Sequence, residues 1–300
     1  MKILLLGKEG QVGWELQRSL STVGGLIASE QRELDLERPD DVRGWVRRHE
    51  PDIIVNAAAY TAVDQAESEP EKAHRINADA VAVLAEEANR LNAWLVHYST
   101  DYVFDGEKAT PYDEGDGANP LSVYGRTKLE GEERIRDCHA KHMIFRTSWV
   151  YAARGKNFAK TMLRLAKERE TLSVIADQYG APTSAELIAD ITALALHWAI
   201  RKGSDTDLAG TYHLVARGET SWHGYAQYVL ALARENGCSL KTAPEEVCPI
   251  QTEDYPLPAK RPRNSRLNVS KLTSIYGVHL PDWRNHVRRL IEELASQGGL

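Results

Sequence analysis

Cysteine is scarce in this 300-residue chain, with Cys138, Cys238 and Cys248 the only three. An odd number without a C-x-x-C pair cannot complete a disulfide framework and suits a reducing compartment, so free thiols are expected. Long apolar runs are also lacking. The stretches at 3–6 and 53–55 fall far short of the roughly 20 residues a membrane helix needs. The N-terminus shows neither the apolar core nor the small-residue cleavage site of a secretion signal, and the expectation is a cytoplasmic protein. No block of one charge sign occurs: 37 basic side chains stand against 43 acidic ones, a formal charge of -6. That balance gives no reason to expect a nucleic acid or an anionic membrane as partner, and points to a small ligand. With 42% hydrophobic and 27% charged residues, the chain is neither disordered nor of low complexity. It is long enough for one large domain or two moderate ones. No internal repeat is found.

What is present is an alternation. Short apolar runs at 3–6, 26–28, 53–56, 93–98 and 143–145 are separated by stretches of helical periodicity, the form of βαβ units around a parallel sheet. Helices are expected at 14–20, from Pro39 onward with Val42, Trp45 and Val46 on one face, at 71–91 and at 124–138. The segments 57–70 and 105–120 read as loops. Beyond Trp149 the alternation weakens, with helices at 157–168, 185–199, 222–236 and 283–295 and a proline-rich stretch at 244–262. The fold expected is α/β, a Rossmann-type doubly wound parallel sheet with a smaller, discontinuous C-terminal substrate lobe. The dinucleotide-binding part would take 1–148 with parts of about 185–215 and 258–280. The substrate lobe would take about 149–184, 216–257 and 281–300.

Gly7, Gly10 and Gly13 are spaced G-x-x-G-x-x-G, directly after a strand and directly before a helix. Glycines there allow a tight turn, close approach of the backbone to a pyrophosphate, and close contact of helix with strand. The helix start supplies free N–H groups and positive dipole to the phosphates. Glu30, about 20 residues further on, stands where an acidic residue would hydrogen-bond the adenosine ribose of NAD. Lys8 and Arg32 nearby are cations that could instead meet the 2′-phosphate of NADP, or simply be solvated.

Tyr124 and Lys128 lie four apart in Y-G-R-T-K and so share one face of a helix. A phenol is a poor acid or base at neutral pH unless a neighbouring cation favours its ionised form, which the lysine can do. Short spacings of this kind arise by chance on exposed helices. Thr100, however, falls at the C-terminal end of a central strand, where ligands of open α/β sheets bind. A cofactor turn, a strand-end hydroxyl and a Tyr-Lys pair are the parts a hydride transfer needs. His97 and His213 stand at no paired ligand spacing and read as structural.

On these residues the chain resembles the extended short-chain dehydrogenase/reductases and, more closely, the dTDP-4-dehydrorhamnose reductase family. The resemblance runs through K-I-L-L-L-G-K-E-G-Q-V-G-W-E-L at the start, V-N-A-A-A-Y-T-A-V-D-Q-A-E-S-E-P at 55–70, H-Y-S-T-D-Y-V-F-D-G at 97–106 and V-Y-G-R-T-K-L-E-G-E at 123–132. It continues in F-R-T-S-W-V-Y at 145–151, N-F-A-K-T-M-L-R-L at 157–165, D-Q-Y-G-A-P-T at 177–183 and R-P-R-N-S-R-L at 261–267. It implies reduction of the C4 keto group of dTDP-4-dehydro-L-rhamnose to dTDP-L-rhamnose by NADP(H) or NAD(H), a step of lipopolysaccharide and O-antigen precursor synthesis. Thr100, Tyr124 and Lys128 would be the catalytic triad, with Tyr124 the proton donor and Lys128 also holding the nicotinamide ribose. Gly7, Gly10, Gln11, Val12 and Gly13 would hold the phosphates. Glu30, Asp35 and Leu36 would meet the adenosine end, and Ala59, Tyr60, Thr61 and Tyr98 would complete the cofactor surface. Thr100, Asp101, Trp149 and Arg261 would contact the sugar nucleotide, an aromatic suiting a sugar or thymine face and an arginine a diphosphate. Glu15, Glu186 and Glu293 match positions of a Mg²⁺ site in members that are dimers, so a homodimer and Mg²⁺ are further implications.

Within that superfamily a 4,6-dehydratase would carry Thr-Asp-Glu, whereas Thr100-Asp101 is followed here by Tyr102. This favours simple reduction. A 4-epimerase, a reductase of another sugar nucleotide, and a non-catalytic NAD(P)-binding regulatory subunit stay open as alternatives.

Overall fold

The computed structural model of the chain describes residues 1–139, 141–202 and 208–297. In chain order the first half runs β1 (Lys2–Leu6), α1 (Gln11–Leu20), β2 (Gly25–Ser29), α2 (Pro39–His49), β3 (Ile53–Asn56), α3 (Val63–Ala66), α4 (Pro70–His74), α5 (Ala80–Leu91), β4 (Trp94–Thr100), α6 (Val123–Cys138) and β5 (His142–Thr147). There follow β6 (Val150–Tyr151), α7 (Phe158–Glu168), β7 (Leu172–Ile175), β8 (Tyr179–Gly180), β9 (Thr183–Ser184), α8 (Ala185–Lys202) and β10 (Gly210–His213). The chain closes with β11 (Thr220–Ser221), α9 (Trp222–Glu235), β12 (Val247–Ile250), α10 (Ser270–Tyr276) and α11 (Trp283–Ser296).

Six of these strands form one parallel sheet in the order β2-β1-β3-β4-β5-β10. Both faces are covered, which is why its strands read as unbroken apolar runs. Ile3 and Leu5 point into a core shared with α1, α8, α9 and α11, while Leu4 and Leu6 point into a second core under α2, α5 and α6. A third cluster, including Met162, Leu172, Leu230 and Val247, joins α7, α9, β7 and β12 away from the sheet. The strand pairs β6-β9, β7-β12 and β8-β11 lie in this second half of the chain.

Several local features depart from the sequence reading, among them the short strands β6, β7, β8, β9, β11 and β12 and the helix α10, which were not expected. The segment 57–70, read as loop, contains α3. The run 71–91, read as one helix, is interrupted between α4 and α5 by a π turn at Arg75–Asp79. The sixth strand, β10, was not read at all, since four residues, Gly210–His213, carry no distinct pattern. The three cysteines are free. Among the described residues, no helix is long and apolar enough to cross a membrane.

Candidate active site

In a parallel sheet all strands end on the same side, and ligands bind where neighbouring connections diverge. Here β1 leads to β2 on one side and borders β3 on the other, and the glycine turn leaves β1 at that switch. Gly7 has φ +81°, and a side chain there would meet Ala58 N at 2.8 Å. Gly13 seats α1 against the turn, with an added Cβ only 2.0 Å from the Gly7 carbonyl oxygen. Gly10 begins α1 without any side-chain cap, so the first-turn N–H groups of Gln11, Val12 and Gly13 have no intrahelical partner. A cradle that excludes side chains and offers open N–H groups fits a dinucleotide pyrophosphate.

The adenosine side of the cradle is set by β2. Glu30 follows that strand directly, half-buried, and its backbone N–H donates to Glu33 Oε2 at 2.9 Å. The same carboxylate takes Lys8 Nζ at 2.7 Å. Lys8 is therefore tied down by Glu33, while Arg32 is exposed. Asp35 accepts the Glu37 N–H, and Leu36 is buried in the core under α2. Ala59, Tyr60 and Thr61 follow β3. Tyr60 is fixed by Asn77 of the π turn, which accepts its N–H and donates to its carbonyl and to Thr127 Oγ1 on α6. The π turn also brings the Asn77 carbonyl so close to α6 that only glycine fits at 131.

Thr100 is the last residue of β4. Its Oγ1 accepts the Tyr102 N–H at 3.1 Å and donates to Asp101 Oδ1 at 3.1 Å. Tyr124 begins α6, whose Ser122 cap accepts the Gly125 N–H. Gly125 lets that helix start lie directly on the turn after β4, since a Cβ would sit 2.2 Å from the Tyr102 carbonyl oxygen. This contact sets the Tyr124 phenol beside Thr100. Burial pushes the phenol up to about 12, with the neighbouring Thr100 hydroxyl opposing. Lys128, one turn further, is fully buried. Its Nζ reaches the Tyr98 carbonyl at 2.7 Å and His97 Nε2 at 3.0 Å. Burial lowers its ammonium to about 8 against the pull of Glu132. Burial likewise raises the Asp101 carboxyl to about 6, opposed by bonds from Ser265 and Thr100.

A model described as the RmlD substrate binding domain matches residues 1–296. The dTDP-4-dehydrorhamnose reductase of Salmonella typhimurium is 55% identical over 298 residues, covering 98% of each chain. The chain belongs to the dTDP-4-dehydrorhamnose reductase family. Among solved structures it is similar to the dTDP-4-dehydrorhamnose reductase of Bacillus anthracis in complex with NADP, with a TM-score of 0.86 at 35% identity, covering 97% of this chain and 99% of that one. The UDP-glucose 4-epimerase of Thermus thermophilus, 18% identical with a TM-score of 0.76 over 97% of this chain and 99% of that one, shares the fold.

Against the residues that membership in the dTDP-4-dehydrorhamnose reductase family leads one to expect, several are differently engaged. Tyr98, expected on the cofactor surface, turns its ring into the core, where its hydroxyl meets Thr192 Oγ1 at 2.8 Å. Only its carbonyl faces the site. Arg261, expected to meet a diphosphate, is held bidentate by Asp64, with N–O distances of 3.1 and 2.8 Å. It also reaches Tyr102, whose ring packs edge-on against Tyr124. Trp149 follows β5 with φ +49° and stacks on Trp222 of α9, ring centroids 3.6 Å apart. Gly180 makes room for it, since a Cβ there would touch the indole at 2.7 Å.

Glu15, Glu186 and Glu293 do line one cavity of about 290 Å³. Among the described residues of the single chain, no three His, Cys, Asp or Glu side chains are placed to hold a metal. Glu186 is paired with Arg289 at 3.2 Å and Glu15 with Arg18 at 3.7 Å. Burial and the neighbouring Glu186 and Glu293 carboxylates raise the Glu15 carboxyl, against Arg18. His213 is buried with Nδ1 on the Asn268 carbonyl, a structural role. His97, read the same way, is also fully buried, with Nε2 on Lys128 Nζ. Sequence reasoning also missed Asn77, Asp64 and Trp222. Their partners lie 17, 197 and 73 positions away, separations at which no local pattern exists.

Proposed function

We infer that the chain reduces the C4 keto group of dTDP-4-dehydro-L-rhamnose to dTDP-L-rhamnose, with NADPH or NADH as reductant. The observation that carries this reading is the Tyr124 phenol set beside Thr100 at the end of β4, with only β3 between that strand and the glycine cradle of β1. The bound nicotinamide supplies the hydride. Thr100 Oγ1 orients the substrate carbonyl, and Tyr124, whose phenol keeps its proton at neutral pH, gives that proton to the C4 oxygen as charge develops there. Lys128 lies behind this pair and holds the nicotinamide ribose. Gly7, Gly10, Gln11, Val12 and Gly13 hold the phosphates, with Glu30, Asp35, Leu36, Ala59, Tyr60 and Thr61 along the rest of the cofactor.

On the sugar-nucleotide side, Asp101 binds a sugar hydroxyl and Trp149 offers its face. Arg261 reaches the diphosphate once Asp64 releases it. The reading keeps the two parts of the chain expected from the sequence, of which 140, 203–207 and 298–300 lie outside the described residues. A cytoplasmic location and a homodimer complete the reading; sedimentation velocity tests the latter.

The test is oxidation of NADPH and of NADH, followed at the nicotinamide absorbance, with the keto sugar generated in situ. Oxidation that depends on the keto sugar supports the reading and ranks the cofactors. Cofactor binding without such oxidation overturns it in favour of another sugar nucleotide or a regulatory role.

A further inference from the structure

His97 takes no direct part in the reaction just described, yet it is fully buried and touches Lys128. Donor and acceptor roles along this contact can be assigned from one end. Asn56 ends β3, and its Oδ1 accepts the Ala58 N–H at 3.2 Å. A backbone N–H can only donate, so this bond fixes the amide with Nδ2 toward His97 Nδ1, 3.2 Å away. Nδ2 also only donates, so His97 Nδ1 must be the bare nitrogen. Burial pushes its imidazolium well below the usual range, which favours the neutral ring. A neutral ring with a bare Nδ1 carries its proton on Nε2. That N–H points at Lys128 Nζ, 3.0 Å away. An ammonium has no lone pair to accept it, whereas an amine does.

We propose that Asn56 and His97 form a fixed hydrogen-bond chain that favours the amine form of Lys128, so that this pair sets the pH at which Lys128 loses its proton and hence the upper pH limit of reduction. The inference rests on the catalytic reading of Lys128 given above. In this arrangement Nζ accepts from His97 Nε2–H and donates to the Tyr98 carbonyl. Charging Lys128 opposes two N–H donors unless the His97 proton moves to Nδ1, where it meets the Asn56 amide instead. His97 is thus a positioning residue.

The other charged groups around Lys128 are accounted for. Glu132 on the same helix favours the ammonium, but it is bound twice by Arg146 of β5 and once by Arg136. Tyr124, one turn back on the same helix, lies beside Thr100, which bonds the Asp101 carboxyl at the end of β4. In the π turn packed against α6, Arg75 pairs with Glu37 and Asp79 with His74. His74 in turn reaches Glu130 of α6.

The test is carried out on the ligand-free full chain with ¹³Cε-labelled lysine and ¹⁵N-labelled histidine. The Lys128 resonance is the one absent in Lys128→Met, and the His97 signals are those absent in His97→Gln. At pH 9 the His97 spectrum is expected to show the Nε2–H tautomer. The Lys128 titration midpoint is expected to move upward by about one pH unit in His97→Gln, whose side-chain oxygen can accept from the ammonium. Asn56→Asp should move it in the same direction by turning His97 to the Nδ1–H tautomer. The basic limb of the kcat/KM profile with saturating NADPH should follow both shifts. An Nδ1–H tautomer in the native chain, or an unmoved Lys128 midpoint in the two folded variants, overturns the proposal while leaving the reductase reading intact. Absence of keto-sugar-dependent oxidation by the native chain overturns the reductase reading alone, because the two NMR readouts do not depend on it.

Discussion

The glycine turn and the Thr100–Tyr124 corner border the same strand ends but are built in opposite ways. The turn works through what its residues lack: no side chain at Gly7 or Gly13, no cap on α1, and charges at Lys8 and Glu33 that face water. The corner works through burial, with Lys128, Asp101 and His97 all nearly inaccessible and each displaced from its ordinary titration range. A ligand handled by backbone N–H groups needs shape, and shape tolerates solvent. A proton transfer needs groups poised in a low dielectric, where position and protonation state are coupled.

The sharpest way to break this contrast is Tyr124→Phe. The ring still packs on Tyr102, so NADPH affinity should hold within about twofold while turnover falls by about 10²–10⁴-fold. Unchanged turnover in a steady-state assay would remove Tyr124 from the proton path.

Next in size is Asp101→Asn. The native carboxyl titrates at about 6 when folded against an ordinary 3.8. The folded chain therefore keeps a proton that the unfolded chain releases, and this stabilisation is present below about pH 4 and lost as the pH rises to about 6. Asparagine does not titrate, so the stability of the variant relative to the native chain should climb across that window by up to about 3 kcal/mol. Urea unfolding at several pH values measures it, and a flat difference would place Asp101 in a wetter setting.

On the turn side, Gly13→Ala forces backbone against backbone. A stability loss of about 2 kcal/mol is expected, together with weaker NADPH binding, read by thermal unfolding with and without cofactor. Lys8→Met should change least. Its pair with Glu33 is solvent-exposed, so stability should stay within about 0.5 kcal/mol. The ratio of NADPH to NADH affinity, by fluorescence titration, tells whether Lys8 leaves Glu33 for a 2′-phosphate.

The same contrast governs what was legible in the sequence. The turn occupies seven consecutive residues between a strand and a helix, and each of its glycines has a local reason. Tyr124, Lys128 and Thr100 were legible because a helical period and a strand end place them. Asn77 was hidden because it sits in a π turn inside a run that reads as one continuous helix. Asp64 hid as an ordinary acidic residue in a loop until Arg261, from far along the chain, closed on it. The roles of Tyr98 and of the three glutamates were carried over from position alone. Which way a ring turns, or which arginine already sits on a carboxylate, is decided by tertiary packing.

The Trp149–Trp222 stack has a practical consequence. Two indoles 3.6 Å apart and nearly parallel have coupled electronic transitions, which give an ellipticity signal in the near ultraviolet that neither ring shows alone. One ring hangs from a left-handed residue after β5 and the other from the first turn of α9, so any movement between those supports dims the signal. The molecule thus carries an intrinsic optical gauge, readable without a label, of whether the region beyond the sheet has rearranged around what it binds.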